Sequence, residues 1–176
     1  MLEGKKIVLR AFEEEDIVFN LNWQNDIEFQ NLFLGTRYPI SECEEYEWYK
    51  AVIKDKSKLI FSIKYKEDNK YIGNIGISNI SWINRNASFW IYIGERNYRR
   101  KGCALEATQL MIEYSFNNLN IYKIYLNVLE KNIPAVKLYK KLNFEIEGTF
   151  KNEVFICGQY ENILRMALIR KMKNCY

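Results

Sequence analysis

Residues 87–105 read Ala87-Ser88-Phe89-Trp90-Ile91-Tyr92-Ile93, then Gly94-Glu95-Arg96-Asn97-Tyr98, then Arg99-Arg100-Lys101-Gly102-Cys103-Ala104-Leu105. The first seven alternate. Ala87, Phe89, Ile91 and Ile93 face one way and Ser88, Trp90 and Tyr92 the other, which is the period of a strand. From Gly102 to Leu119 the period becomes helical. Leu105, Thr108, Ile112, Phe116 and Leu119 form one stripe, with Glu106, Gln109, Glu113 and Asn117 opposite. Lys123–Leu129 alternates again. A strand, a helix and a strand in that order predict a right-handed parallel crossover inside a mixed α/β sheet.

The flanking sequence supplies the rest of that sheet. Ile7–Ala11 reads as a strand. Glu13–Asn25 reads as a helix with an acidic start, facing Ile17, Leu21, Phe19 and Trp23 inward. Residues 27–40, with Gly35 and Pro39, read as a loop. Ser41-Glu42-Cys43-Glu44 is a capping-box pattern and predicts a helix to about Asp55 that buries Tyr46, Tyr49 or the stem of Lys50, and Ile53. Leu59–Tyr65 and Tyr71–Ile80 read as strands across a polar turn, with a second turn at 82–86. Asn132–Leu142 reads as a short helix that tolerates Pro134 in its first turn. Phe144–Phe150 and Tyr160–Arg170 read as the last two strands, turning around Gly158. With no repeat or linker, residues 1–176 read as a single domain.

The chemistry concentrates where the strand meets the helix. The N–H groups of a first helical turn lack partners and sit at the positive end of the helix dipole. Gly102 lets backbone approach a phosphate, Ala104 keeps the next turn small, and Arg99, Arg100 and Lys101 add cations. The segment is neither a P-loop nor a GxGxxG turn. The alternative is a solvated basic connection. Cys103 lies near the same helix start, which lowers a thiol pKa, but is read as a packing residue.

Composition narrows the chemistry. There is no histidine, and the four cysteines form no CxxC pair, so neither a zinc site nor a disulfide framework is expected. Every mechanism that needs an imidazole base is excluded. The formal charge of +4 reads as solvated surface rather than a nucleic-acid footprint. No apolar run suits a bilayer span or a signal peptide, so a cytoplasmic protein is expected.

Arg99-x-x-Gly102-x-Ala104 fits the Q/R-x-x-G-x-G/A signature of the GNAT acetyltransferase superfamily. Asn132-Ile133-Pro134-Ala135-Val136-Lys137-Leu138-Tyr139-Lys140-Lys141-Leu142-Asn143-Phe144 resembles its second motif, N-x-x-A-x-x-L-Y-x-K-x-G-F, departing at Asn143 where glycine is usual. The chain most resembles the branch of ribosomal-protein N-terminal acetyltransferases and spermidine acetyltransferases. The stretches 120–126 and 155–160, with Arg165-Met166, resemble the spermidine enzymes.

The resemblance implies a GNAT-type fold: a twisted, mostly antiparallel sheet that splits at a central parallel strand pair. It implies acetyl-CoA as co-substrate and no metal. Pantetheine would pair with Ile91, Tyr92 and Ile93, and the pyrophosphate would sit on the amides of Arg100 to Leu105. Asn132 and Tyr139 would flank the thioester, with Ala135 and Lys141 completing the cofactor side. The amine would attack the acetyl carbonyl directly, and Tyr139 resembles the general acid that protonates the leaving thiolate.

The acceptor side departs from the family. Many relatives carry glutamate where Ser88 stands. Ser88 could order a water, or a base could come from Glu28 or Glu47. The acceptor site is expected from residues 20–45 and the hairpin 150–160. The spermidine enzymes carry acids in the loop after the first helix, yet 29–39 contains none and one cation, Arg37. Arg37 suits an anionic acceptor such as a nucleotide-linked amino sugar, whose acetyltransferases residues 21–26 resemble. A polyamine, another small amine and a peptide N-terminus stay open, with Trp23 and Phe33 as candidate pocket walls. A non-catalytic acyl-CoA-binding module is the alternative of a different class. Relatives often form dimers or larger assemblies, so a homo-oligomer fits the resemblance.

Overall fold

The computed structural model describes residues 1–171; Cys175 lies outside the described residues. Its strands are β1 (Leu2–Glu3), β2 (Ile7–Ala11), β3 (Leu59–Tyr65), β4 (Tyr71–Ser81), β5 (Asn86–Ile93), β6 (Lys123–Leu129), β7 (Glu145–Ile156) and β8 (Gln159–Ile169). Its helices are α1 (Ile17–Gln24), α2 (Ile27–Gln30), α3 (Glu42–Val52), α4 (Cys103–Asn117) and α5 (Ile133–Lys141). All eight strands join one sheet in the order β1-β2-β3-β4-β5-β6-β8-β7. Among the described residues only β5 and β6 run parallel, joined through α4 as the alternating pattern predicts.

That parallel pair is short. It joins Asn86 with Lys123, Ala87 with Ile124 and Ser88 with Tyr125, and then stops. Beyond it, β5 stays paired with β4 to Ile93, and β6 stays paired with β8 to Leu129. The two halves of the sheet therefore part, and the inner backbone edges of 89–93 and 126–129 face a wedge. On one face Ala87 and Phe89 join Ile124, Leu126, Ala107 and Met111 in the main core.

Several expectations shift in register. The buried side of α4 is Cys103, Ala107, Thr108, Met111 and Ser115, while Leu105, Ile112 and Phe116 flank it half-buried. Small residues let this helix lie close to the sheet, so volume rather than hydrophobicity chooses the inner stripe. α1 starts at Ile17 after a single 3-10 turn, and Asn20 rather than Phe19 is buried. α3 buries Glu45 and Val52 and leaves Tyr46 and Ile53 exposed. Its capping box forms: Ser41 Oγ accepts from the Glu44 N–H at 3.2 Å, and Glu44 Oε2 accepts from the Ser41 N–H at 2.9 Å. α2 occupies the expected loop, started by Asp26, whose carboxylate accepts from the Glu28 N–H at 2.9 Å. β7 continues past Phe150 to Ile156 because an irregularity between Phe150 and Val154 lets its pairing with β8 resume.

One buried ion pair ties α1's entry to the sheet. Arg10 donates to both carboxylate oxygens of Asp16 at 2.6 Å, and the Ser62 hydroxyl donates to the same carboxylate at 2.6 Å. Breaking such a pair leaves an uncompensated charge and costs about 3–5 kcal/mol. It fixes the helices that cover the Trp90 and Tyr92 face of β5.

Candidate active site

The cofactor side is built by the turn from β5 into α4. Trp23 packs on buried Gly94, where a side chain would collide with its indole. The Arg99 guanidinium turns back, donating from Nε to the Ile93 carbonyl at 3.0 Å and from Nη2 to the Gly94 carbonyl at 3.2 Å. It braces the turn. Arg100 and Gly102 both adopt left-handed backbone, with φ of 61° and 85°. Lys6 Nζ donates to the Lys101 carbonyl at 2.9 Å, and the Lys101 ammonium stands 4.7 Å from the Tyr98 ring centroid. The amides of Cys103, Ala104 and Leu105 open α4 with no helical acceptor. Exposed Arg100 and Lys101 beside them complete an anion receptor. Burial pushes the Cys103 thiol up, which matches packing rather than nucleophilic chemistry.

A cavity of about 600 Å³ opens beside the split. Ser88, Trp90, Ile91 and Tyr92 of β5 line it, with Asn127–Leu129 of β6 and Asn132, Ala135 and Tyr139 of α5. Its other walls include Phe33, Trp48, Glu44 and Glu45. Tyr139 is buried against the rings of Phe89 and Phe144. Burial pushes its phenol up, so the hydroxyl stays protonated and available as a donor. Asn132 caps α5, accepting from the Ala135 N–H at 3.3 Å, and its Nδ2 donates to the Leu32 carbonyl at 3.3 Å. Trp90 stacks beside Tyr92 with rings 18° apart. A Cβ on Gly76 would lie 2.6 Å from the Trp90 indole, so glycine in β4 makes room for that tryptophan.

Of the other expected site residues, Phe33 and Ser88 reach the cavity while Trp23 and Arg37 do not. Trp23 stacks against Tyr71 in a satellite core. Arg37 donates to the Gln30 carbonyl at 2.9 Å and stabilises its own loop. Lys141 is exposed at the far end of α5. Glu28 pairs with Arg96 at 3.0 Å and Glu47 with Lys50 at 2.6 Å, both outside the cavity wall. The hairpin 150–160 contributes nothing to that wall; its Cys157 thiol instead donates to Asn31 Oδ1 at 3.3 Å.

The sequence reading missed a polar cluster under the Tyr92 face. Asn20 Nδ2 donates to Glu45, and Gln24 Nε2 donates to Glu45 Oε2 at 3.3 Å. Asn74 Nδ2 donates to Asn20 Oδ1 at 3.1 Å and to the Tyr92 hydroxyl at 2.8 Å, and that hydroxyl donates to Asn20 Oδ1. Burial pushes the Glu45 carboxyl up, partly opposed by the donors from Asn20 and Gln24. The signal was present in the sequence: Glu45, Trp48 and Val52 stand three and four residues apart and share one helical face, while Tyr46 does not.

A split parallel pair, a left-handed glycine before a helix start and a tyrosine buried beside the split converge on acyl transfer from a pyrophosphate-bearing donor. Residues 6–145 match the family described as Acetyltransferase (GNAT) domain. The chain is a GNAT acetyltransferase. The spermidine N(1)-acetyltransferase of Escherichia coli (strain K12) is 32% identical over 170 residues, covering 97% of this chain and 89% of the relative. The crystal structure of spermidine N-acetyltransferase from Vibrio cholerae in complex with CoA and spermine superposes with a TM-score of 0.88 at 32% identity. It covers 94% of this chain and 96% of that one. A dodecameric structure of the Vibrio cholerae enzyme in an intermediate state gives 0.82 at 32%, covering 94% and 95%. This GNAT enzyme is an acetyl-CoA-dependent N-acetyltransferase. Among the described residues no group of three metal-ligating side chains comes together, and no helix is long and apolar enough to cross a membrane.

Proposed function

We propose that the enzyme acetylates a primary amine of a polyamine or a closely similar small cationic amine. The observation that carries this reading is one cavity whose walls hold both Tyr139 and the α3 carboxylates Glu44 and Glu45. A polyamine needs acids to hold its cations and apolar surface for its methylenes. Loop 29–39 offers no acid, but α3 offers two, and Phe33, Trp48 and Trp90 supply the apolar walls. The relatives named above act on spermidine or hold spermine by their descriptions, which supports the same class. The anionic amino-sugar reading leaned on Arg37, whose guanidinium is turned to the Gln30 carbonyl. Lys58, the cation in the cavity wall, is paired with Asp55 at 3.2 Å.

Acetyl-CoA supplies the activated acyl carbon and a thiolate leaving group. The left-handed turn at Gly102 and the amides of Cys103 to Leu105 fit its pyrophosphate, with Arg100 and Lys101 adding charge. The open edge of 91–93 fits the pantetheine amides. Asn132, through Ala135 and Leu32, holds the start of α5 in place. Tyr139 keeps its proton until the thiolate needs it, the general-acid role. Ser88, facing the same cavity, is placed to order a water that carries the amine's proton away.

The reading extends to setting. The free cysteines Cys43, Cys103 and Cys157 suit a reducing cytoplasm. Exposed Ile146, Phe150 and Phe155 on the edge strand β7 suit self-association, in keeping with the dodecameric relative. The test is CoA release with a panel of spermidine, spermine, amino-sugar nucleotides and N-terminal peptides. Release with polyamines above all others supports the reading. Release with another acceptor alone overturns the polyamine assignment, and CoA binding without release from any amine favours a non-catalytic binder.

A further inference from the structure

Glu45 is 2% exposed, yet it lines the cavity. A buried carboxylate is costly unless a cation or a full set of donors compensates it. Glu45 has neither. No ion pair reaches it among the described residues. Its donors are two side-chain amides, and the Oε2 contact from Gln24 is long, at 3.3 Å.

Charged and titratable groups nearby do not fill the gap. Glu44, on the same helix, is occupied at the Ser41 cap. Lys58 is paired with Asp55. From β5 comes the Tyr92 phenol, which burial keeps neutral. From α1 come only Asn20 and Gln24. By contrast Asp16, equally buried, receives a bidentate arginine and a hydroxyl.

We propose that Glu45 is the acceptor's anchor: its counter-ion is the ammonium of the acceptor that does not react, brought in with the substrate. This rests on the polyamine reading and adds a specificity determinant to it. The anchored nitrogen keeps its proton, and only the other amine, at the Tyr139 end, loses one and is acylated. Trp90 and Tyr92, whose rings stack side by side in the cavity wall, carry the methylenes. The room that Gly76 leaves for Trp90 is part of the same device.

The test is calorimetric binding of spermidine to the CoA complex, for the unaltered enzyme and for Glu45→Gln, with a monoamine of similar length beside it. Gln keeps the shape and one acceptor oxygen for Asn20, gives up the long contact from Gln24 to the second oxygen, and removes the charge. Spermidine affinity is expected to fall on the order of 10- to 100-fold, the range for a lost charged hydrogen bond. Monoamine affinity should fall far less than spermidine affinity, CoA affinity should be nearly unchanged, and Glu45→Asp should recover part of the spermidine binding. Equal spermidine affinity in both proteins overturns the anchor while leaving the polyamine reading intact. No spermidine binding to the unaltered enzyme overturns both. An equal loss for spermidine and monoamine also overturns the anchor, because it assigns Glu45 to the reacting nitrogen or to the fold.

Discussion

Tyr139 and Glu45 are both buried, and burial works in opposite directions for their roles. Raising a phenol's pKa keeps Tyr139 protonated at neutral pH, which a proton donor requires. Tyr139→Phe should therefore keep CoA affinity and lower turnover by roughly 10²-fold or more, read from single-turnover CoA release. Raising a carboxyl's pKa makes ionised Glu45 a liability until a cation arrives. The folded state then binds more protons than the unfolded one between the ordinary carboxylate value and the raised value. Stability must fall as pH rises through that window, and the full cost persists above it. Glu45→Gln should thus melt higher than the unaltered protein at neutral pH. The gain should be about 2–4 °C for each ~1 kcal/mol relieved, and it should vanish at acid pH. Thermal scans across pH with no substrate present check this. The sequence showed Tyr139 through the motif around it; Glu45, one of four acids in α3, it marked only by helical spacing with Trp48 and Val52.

Pairing and punctuation made most elements legible. The capping box at Ser41, the alternation of 87–93 and the crossover into 123–129 all stand where the residues place them. What escaped were α2 and β1, too short to show a period, and the inward stripe of α4. There the sequence pattern favoured large apolar residues, while close packing against the sheet selected Ala107 and Ser115. Arg99 also braces its own turn through the Ile93 and Gly94 carbonyls, a role that the motif does not announce. The start of α4 gives a clean test of the anion receptor. Gly102 has left-handed backbone, and a Cβ there would meet nothing closer than Lys6 Nζ at 3.8 Å. Gly102→Ala should therefore act through backbone strain alone, costing about 1–2 kcal/mol. It should weaken CoA binding by an order of magnitude or more while leaving the acceptor cavity unchanged, as titration of CoA and of spermidine would separate.

The molecule as a whole is two half-sheets joined at three residue pairs, with a cavity along their seam. One main core runs under both halves, from Ile7 and Ile63 on one side to Leu126 and Met166 on the other. Ligands that bind only the folded chain stabilise it by mass action: CoA at a hundredfold its dissociation constant should add about 2.7 kcal/mol. Denaturant melts with and without CoA measure that. The effect should be concentrated in hydrogen exchange along 89–93 and 126–129, because those inner edges have no strand opposite them and face the gap where CoA binds. Most sheet proteins guard exposed edges on the outside, with charge, bulges or covering helices. This one keeps two of its edges inside, facing each other across a gap. The empty enzyme is in that sense a sheet with a strand missing, and a cell depleted of acetyl-CoA would hold a less stable, more aggregation-prone version of it.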